Sequence, residues 1–522
     1  MEKNMNILMI YPEFPDTFWS FKHALSFIDK SAGNPPLGLL TVAALLPTEW
    51  HKRLIDLNVQ PLTKTDLDWA DLAMVSAMDI QRESVRKVIA RCKQNGLKVA
   101  AGGPLFTEDY QDFPLVDYFI LNEAEITIHQ FINDLKSGSP QHIYSTSDYA
   151  DITQTPIPMW ELLKIKSYDS MAIQFSRGCP YNCDFCNVTA LLGHRPRTKT
   201  AKQLVAELDS LYQLGWRRNI FIVDDNFIGN KRILKEEVLP AIIEWRKGKT
   251  GCLFITEASI NLADDEKLMV MMQQAGFTQV FIGVETPDEE SLTECHKTQN
   301  RNRDLVENIH TLQHHGFQIM GGFIVGFDND TPTIFDRQIK FIQDSGIVTA
   351  MVGILQAPLN TQLFKRLQAE DRIVKTFSGN NTDGTSNIIP LMDPEVLRIG
   401  YQRLLHQIYS PRLFYQRIKT LLRHIKPSQA PVHLEWAEIR AFFRSVWRLG
   451  ILGPERWEYW KLVVWSLFTC PDKFPLAITM TIYGYHFTKV SQLHVLNYVP
   501  ETVKSPPSVV TAPARSVSVA GE

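Results

Sequence analysis

The chain has 522 residues, 44% hydrophobic and 21% charged, with a formal net charge of -3 and seven cysteines. Such a chain can bury two or three cores, and its near-neutral charge gives no bulk electrostatic footprint for nucleic acid. No apolar stretch reaches the roughly 18 residues of a spanning helix. The odd cysteine count without a secretory signal argues against a disulfide scaffold and for a reducing, cytoplasmic setting.

From the N-terminus, apolar runs predict strands at Ile7–Ile10, Arg53–Asp56, Leu72–Ser76, Lys98–Ala101 and Tyr118–Leu121, with helices around Leu37–Leu46 and Ser84–Gln94. Buried strands alternating with helices indicate a doubly wound parallel sheet, a Rossmann-like domain over residues 1–140. Ligands of such sheets sit beyond the carboxyl ends of the strands, here Ser76-Ala77-Met78, Gly102-Gly103-Pro104 and Asn122-Glu123. A polar, Pro-containing stretch follows, and residues 141–165 are assigned as a linker.

A second alternation then predicts six strands, near Met171–Phe175, Ile220–Val223, Leu253–Thr256, Val280–Val284, Ile319–Val325 and Thr349–Leu355. One intervening helix carries clear signals: Thr200 with Gln203 as a capping box, Leu204, Leu208 and Leu211 on one face, and Gly215 past its end. Six strand-helix units predict a partial (β/α)6 barrel over residues 166–392, with its chemistry at the carboxyl ends of the strands. Residues 393–499 read as a mainly helical domain rich in tryptophan, and 500–522, Pro-, Ser-, Val- and Ala-rich without periodicity, as a disordered tail. The fold class is therefore α/β with a helical C-terminal domain.

The sharpest chemical signal is Ser176-Arg177-Gly178-Cys179-Pro180-Tyr181-Asn182-Cys183-Asp184-Phe185-Cys186, directly after the first barrel strand. Three thiolates in so tight a loop converge on one centre and suit an iron-sulfur cluster, with one of four irons left open for substrate. A structural zinc site is the rival reading, and would need a fourth ligand such as the distant His194.

That loop, with Phe185 in the aromatic position before the last cysteine, resembles the radical S-adenosylmethionine (SAM) superfamily. The resemblance implies a 4Fe-4S cluster on Cys179, Cys183 and Cys186 that chelates SAM and cleaves it to a 5'-deoxyadenosyl radical. Asp224, Asp225 and Asn226 after the second strand and Glu285 after the fourth resemble the family's SAM-holding motifs. Gly322 to Phe327 matches the fifth strand end, and Pro358-Leu359-Asn360-Thr361 stands where Pro-Gly-Thr is common. The N-terminal domain is similar to cobalamin-binding domains that precede such barrels, through Pro35-Pro36-Leu37-Gly38-Leu39, the Gly102-Gly103-Pro104 turn and Asn122-Glu123-Ala124-Glu125. Its glycines, Gly102 and Gly103, are expected to let the backbone approach a large planar ligand. No Asp-x-His-x-x-Gly is present to coordinate cobalt from below.

Nearly end to end, from Tyr11-Pro12-Glu13-Phe14-Pro15-Asp16-Thr17-Phe18-Trp19 through Asn381–Asn387 to the aromatic C-terminal helices, the chain resembles the cobalamin-binding radical SAM proteins with a C-terminal domain of unknown function, a group similar to hopanoid methylases. This implies methyl transfer to an unactivated carbon of an apolar substrate, lipid or isoprenoid, with one SAM as radical source and another remethylating cobalamin. It also implies a ferredoxin- or flavodoxin-type electron donor. A cobalamin-dependent cyclase or rearrangement enzyme is the alternative, and a non-catalytic iron-sulfur or zinc protein the remote one. The Trp-rich helices from Trp436 to Phe487 read either as a lipid-facing or membrane-surface element or as the packing of a helical cap.

Overall fold

The structure, a computed structural model, describes residues 4–380, 383–426 and 436–496. The expected tail, 500–522, and Asn381-Thr382 lie outside the described residues.

The first sheet is built from β1 (Asn6–Tyr11), β2 (His51–Asp56), β3 (Leu72–Ser76), β4 (Lys98–Gly102), β5 (Tyr118–Ile120) and β6 (Ile143–Tyr144). All pairs are parallel, in the order β2-β1-β3-β4-β5-β6. Successive residues of β1 feed opposite cores: Ile7 and Met9 join one apolar cluster, Leu8 and Ile10 the other. Burial on both faces is why these strands read as unbroken apolar runs. The chain reverses direction across the sheet between β1 and β3, which opens a crevice at their carboxyl ends. β6 falls inside the stretch expected to be a linker; at two residues it carries no periodicity to detect.

The second sheet runs β7 (Met171–Ile173), then, past the antiparallel pair β8 (Ser176–Arg177) and β9 (Arg197–Thr198), β10 (Ile220–Ile222), β11 (Phe254–Glu257), β12 (Phe277–Glu285), β13 (Gln318–Val325) and β14 (Thr349–Ile354). Its six parallel strands keep chain order from β7 to β14. β7 and β14 are edges that do not meet, so the barrel is partial.

Elements from both chain ends close the open side. The Tyr409 and Tyr401 hydroxyls donate to the carbonyls of Ala350 and Val352 on β14, at 2.5 and 2.9 Å. Phe18 stacks on Phe487 of the helix Phe474–Ser491 at 4.1 Å, and its carbonyl lies 2.9 Å from Nε2 of the buried His486. The same N-terminal segment reaches the entry to β7, where Ser31 N–H donates to the Ser167 carbonyl at 2.9 Å. Trp19, partly exposed, packs on this edge, its indole N–H 2.8 Å from the Met351 sulfur and its ring 5.4 Å from Phe281. Aromatic side chains thus supply a wall where strand pairing is missing.

Candidate active site

Between β7 and the first barrel helix the chain must turn sharply. Gly178 makes the turn at φ +92°, where a Cβ would lie 2.9–3.0 Å from the carbonyl oxygens of Gly193, Leu192 and Arg195. Only glycine fits there. The loop that follows is pinned at each end. Cys179 N–H donates to the Gly193 carbonyl at 3.2 Å, and Asp184 N–H to the Cys295 carbonyl at 3.2 Å. Leu363 N–H donates to the Asp184 carbonyl at 2.9 Å, and Asn261 Nδ2 to the Tyr181 hydroxyl at 2.8 Å.

All three cysteines of the loop are half-buried and free, while Cys92, Cys252, Cys295 and Cys470 are buried and free. The three sulfurs do not all lie within 4.8 Å of one another. A single tetrahedral zinc with bonds of about 2.3 Å would need them at ~3.8 Å separation, so the spread of the donors favours a larger polynuclear cluster. His194, the expected fourth zinc ligand, is exposed and joins no group of metal-ligand atoms among the described residues. Burial pushes the Cys186 thiol up to about 12 and raises those of Cys179 and Cys183. Bare thiolates are costly here, a cost that a bound cation would offset.

Several groups already face these sulfurs. Gln299 Nε2 lies 3.7 Å from the Cys183 sulfur and Asn226 Nδ2 lies 4.0 Å from that of Cys179. Asn226 is itself held, its Oδ1 accepting from Ser259 N–H at 3.2 Å. Lys297, next to Cys183 and Cys186, pairs with Glu285 at 2.7 Å and lies 5.9 Å from the Phe185 ring centroid. Glu285 sits at φ +65°, a backbone position unusual for glutamate.

The acidic triplet after β10 divides in role. Asp224 is fully buried, and its carboxylate accepts from Phe175 N–H and Ser176 N–H, both at 2.8 Å, and from the Ser176 hydroxyl at 2.6 Å. Its oxygens are spent tying the start of the cysteine loop to β10. Asp225, by contrast, meets no cation or side-chain donor among the described residues, and neither does Glu257 at the end of β11. Burial pushes Asp225 up to about 6, and burial with the nearby charges of Asp225 and Asp224 pushes Glu257 up to about 8. Two unpaired carboxyls, one near enough to raise the proton affinity of the other, would suit a cationic group.

A consequence follows for the ligand-free protein. Carboxyls whose folded pKa is raised stabilise the fold fully below their unfolded values and lose that contribution as pH rises through about 6 to about 8. Glu257→Gln should therefore flatten the fall in melting temperature between pH 5.5 and 8.5, as read by anaerobic thermal melts. An unchanged pH dependence would show that Glu257 does not carry this strain.

At the sixth strand end, Asn360 adopts φ +65°, taking the left-handed conformation that a glycine would otherwise supply. Thr361 then caps the helix Gln362–Ala369 by accepting from Phe364 N–H at 3.0 Å.

A cavity of about 430 Å³ lies at the carboxyl ends of the first sheet. One side is formed by Gly38, Ser76, Met78, Gly102, Gly103 and Asn122; the other by Gln174, Arg177, Leu191, Leu192 and Val223 of the barrel half. The glycines of this cavity differ in what surrounds them. A Cβ on Gly102 would lie 2.5 Å from the Ile120 carbonyl oxygen, and one on Gly103, at φ +92°, 2.5 Å from the Ser76 hydroxyl. Strand packing therefore requires both glycines by itself, and both line the cavity as well. Gly38 is the opposite case: it lines the cavity, and a Cβ there would meet nothing within 4 Å.

Arg177 bonds the two halves. It pairs with Glu123 and Glu125, each at 2.7 Å, while Arg197 pairs with Glu123 at 2.9 Å and donates to the Ala150 carbonyl at 2.7 Å. Sequence reasoning missed Glu257, Lys297, Gln299 and these arginines. Glu257 could have been found as the polar end of the third barrel strand; the others carry no local signal.

Residues 173–342 match the radical SAM superfamily, and residues 361–497 match a domain of unknown function (DUF4070). The chain is 37% identical over 495 residues to an uncharacterized methyltransferase of Synechocystis sp., an alignment covering 94% of this chain and 92% of the relative. It is 33% identical over 479 residues to the hopanoid C-2 methylase of Rhodopseudomonas palustris, covering 89% of each. Two solved structures share the fold. The cobalamin-dependent SAM radical enzyme OxsB, with aqua-cobalamin and SAM bound, has a TM-score of 0.59 at 15% identity, covering 94% of this chain and 80% of that one. The radical SAM methyltransferase TsrM from Kitasatospora setae, with cobalamin and an iron-sulfur cluster bound, has a TM-score of 0.56 at 14% identity, covering 88% of this chain and 99% of that one.

Proposed function

The chain belongs to the family of radical SAM methyltransferases that includes hopanoid C-2 methylase, and from that premise we propose that it methylates an unactivated carbon of an apolar, lipid-like molecule with cobalamin as cofactor. One observation carries the reading. The cavity at the first sheet's carboxyl ends is walled on its far side by the segment that leads into the cysteine loop, with Arg177 two residues before Cys179. A cofactor in that cavity borders the metal-binding half.

In this reading residues 1–140 form the cobalamin-binding domain, residues 166–392 the radical SAM barrel and residues 393–499 the helical C-terminal domain. Cys179, Cys183 and Cys186 are the cluster ligands, and Gly38, Gly102 and Gly103 line the cobalamin cavity. Asp225 and Glu257 receive the positive charge of SAM, for which their unpaired, raised carboxyls provide. Asn226 and Gln299 direct amide N–H groups at the ligand sulfurs, and Lys297 offsets their negative charge while Glu285 holds it in place. Asp224 acts as a positioning residue through Phe175 and Ser176. The chemistry such groups supply when bound is reductive cleavage of SAM to a 5'-deoxyadenosyl radical and delivery of a methyl group to carbon. The electron comes from a low-potential donor of the ferredoxin or flavodoxin class.

An apolar substrate is supported by the 33% identity to hopanoid C-2 methylase and by the apolar contact that Trp19 makes with Phe281 and Met351 beside the barrel.

Methyl-labelled SAM, a chemical reductant and a hopanoid-type polycyclic hydrocarbon, incubated anaerobically with reconstituted enzyme, test the proposal. Label is expected in the lipid product, alongside 5'-deoxyadenosine. Deoxyadenosine together with an unlabelled, rearranged product would replace methyl transfer with cyclisation or rearrangement.

A further inference from the structure

Tryptophan and phenylalanine side chains usually bury most of their area. The C-terminal hairpin does the reverse. Along the helix Trp436–Ser445 and its continuation Val446–Ile451, residues three or four apart (Trp436, Arg440, Phe443, Trp447 and Ile451) are all exposed. Along Arg456–Thr469 the same spacing exposes Trp457, Trp460, Val464 and Phe468, while Tyr459, Leu462 and Val463 face the core. Trp457 is 71% and Phe468 86% exposed. The two helices are joined by the Trp460 indole N–H donating to the Gly450 carbonyl at 2.9 Å and by a Ser445–Tyr459 hydroxyl pair at 2.8 Å. The outward stripes therefore belong to a fixed hairpin, and apolar patches of this extent on a folded chain mark contact surfaces.

We propose that this hairpin docks on the surface of an anionic lipid bilayer, lying in the interface without spanning it. Three observations choose this occupant. First, the exposed set is dominated by tryptophan and phenylalanine, whose large rings partition into the headgroup boundary. Second, charge is segregated: residues 394–496 carry 14 Lys and Arg against 6 Asp and Glu, in a chain whose net charge is -3. Cations lie beside the aromatic face, with Lys419 and Arg423 against the half-buried Trp465 ring and Arg440, which also pairs with Asp29 at 3.5 Å, within the exposed stripe itself. A basic, aromatic surface is complementary to anionic headgroups, whereas a second copy of the same face would repel it. Third, no helix among the described residues is long and apolar enough to cross a membrane, so the exposed stripes have no spanning role.

Docking would bring the enzyme to where a lipid-like substrate resides. In purpose it rests on the proposed function, but its test needs no turnover. Reconstituted full-length protein is sedimented with vesicles of equal parts phosphatidylcholine and phosphatidylglycerol, and with pure phosphatidylcholine vesicles. Binding to the anionic vesicles is expected, weakened by salt. Trp447→Ser, Trp457→Ser and Phe468→Ser combined should lower it at least ~100-fold, since each large apolar group contributes roughly tenfold. All three positions are exposed, so iron content and melting temperature should stay at wild-type values. Three outcomes overturn the proposal: wild-type protein that ignores anionic vesicles, a triple variant that binds them as wild type does, or a wild-type dimer in analytical ultracentrifugation that the triple variant dissociates. Loss of methyl transfer with vesicle binding intact would instead remove the apolar-substrate reading and leave the docking surface standing.

Discussion

Cys183→Ala should leave a folded protein that holds little iron and makes no 5'-deoxyadenosine from SAM. The reasoning is one of ligand count. Three sulfurs that do not all lie within 4.8 Å of one another suit a cluster with one open iron, and removing one leaves two ligands for a centre that needs three. Because the thiol is half-buried in a loop pinned by backbone hydrogen bonds at both ends, the alanine costs little packing. The loss of metal should exceed the ~10–100-fold typical when only an outer partner of a ligand is removed. Gln299→Leu provides that comparison: its amide faces the Cys183 sulfur at 3.7 Å, so the variant should keep iron, with weakened retention and a shifted reduction potential. Iron analysis and electron paramagnetic resonance of anaerobically reconstituted protein read both. A Cys183→Ala protein with full iron and wild-type deoxyadenosine would sink the assignment.

The second large effect is Gly38→Phe, expected to abolish cobalamin binding while leaving iron at its wild-type level. Gly38 is the second residue of the helix Leu37–Leu45, faces the cavity, and has open space where its side chain would be. The first atom of a side chain there strikes nothing, and a benzyl group is expected to reach into the cavity. Glycine inside a helix costs about 0.5–1 kcal/mol relative to alanine, so the substituted apoprotein should be no less stable. Loss of cobalt with retained iron and melting temperature would separate blocked binding from misfolding. The same logic cannot be applied to Gly102 or Gly103, where any side chain collides with Ile120 or Ser76 before a ligand is considered. If Gly38→Phe binds cobalamin with wild-type affinity, the cofactor lies elsewhere.

The two strand-helix alternations were legible because parallel strands covered on both faces must be apolar throughout, and such runs stand out between helices capped as clearly as Thr200 and Gln203 cap theirs. The cysteine loop was legible for a different reason: residues within eight positions of one another are neighbours in any fold. β6 escaped detection because two residues have no period. The exposure of the C-terminal tryptophans was undecidable from pattern, since a stripe at helical spacing looks the same whether it faces a core or water.

Asp224, Asp225 and Asn226 show where local reading ends. Adjacent in the chain, they point to three different places: Asp224 to the backbone of Phe175 and Ser176, Asp225 to an unpaired site beside Glu257, and Asn226 to Cys179. The amino-acid sequence alone determined the cysteine trio and its spacing, the repeated alternation and the family, because each is written in contiguous residues. Tertiary structure alone decided which acid is consumed by the fold, which glycine leaves room for a ligand, and that Gln299, 116 residues away, faces Cys183. Such contacts arise only when parallel strands distant in the chain end at the same level, and no local pattern encodes that register.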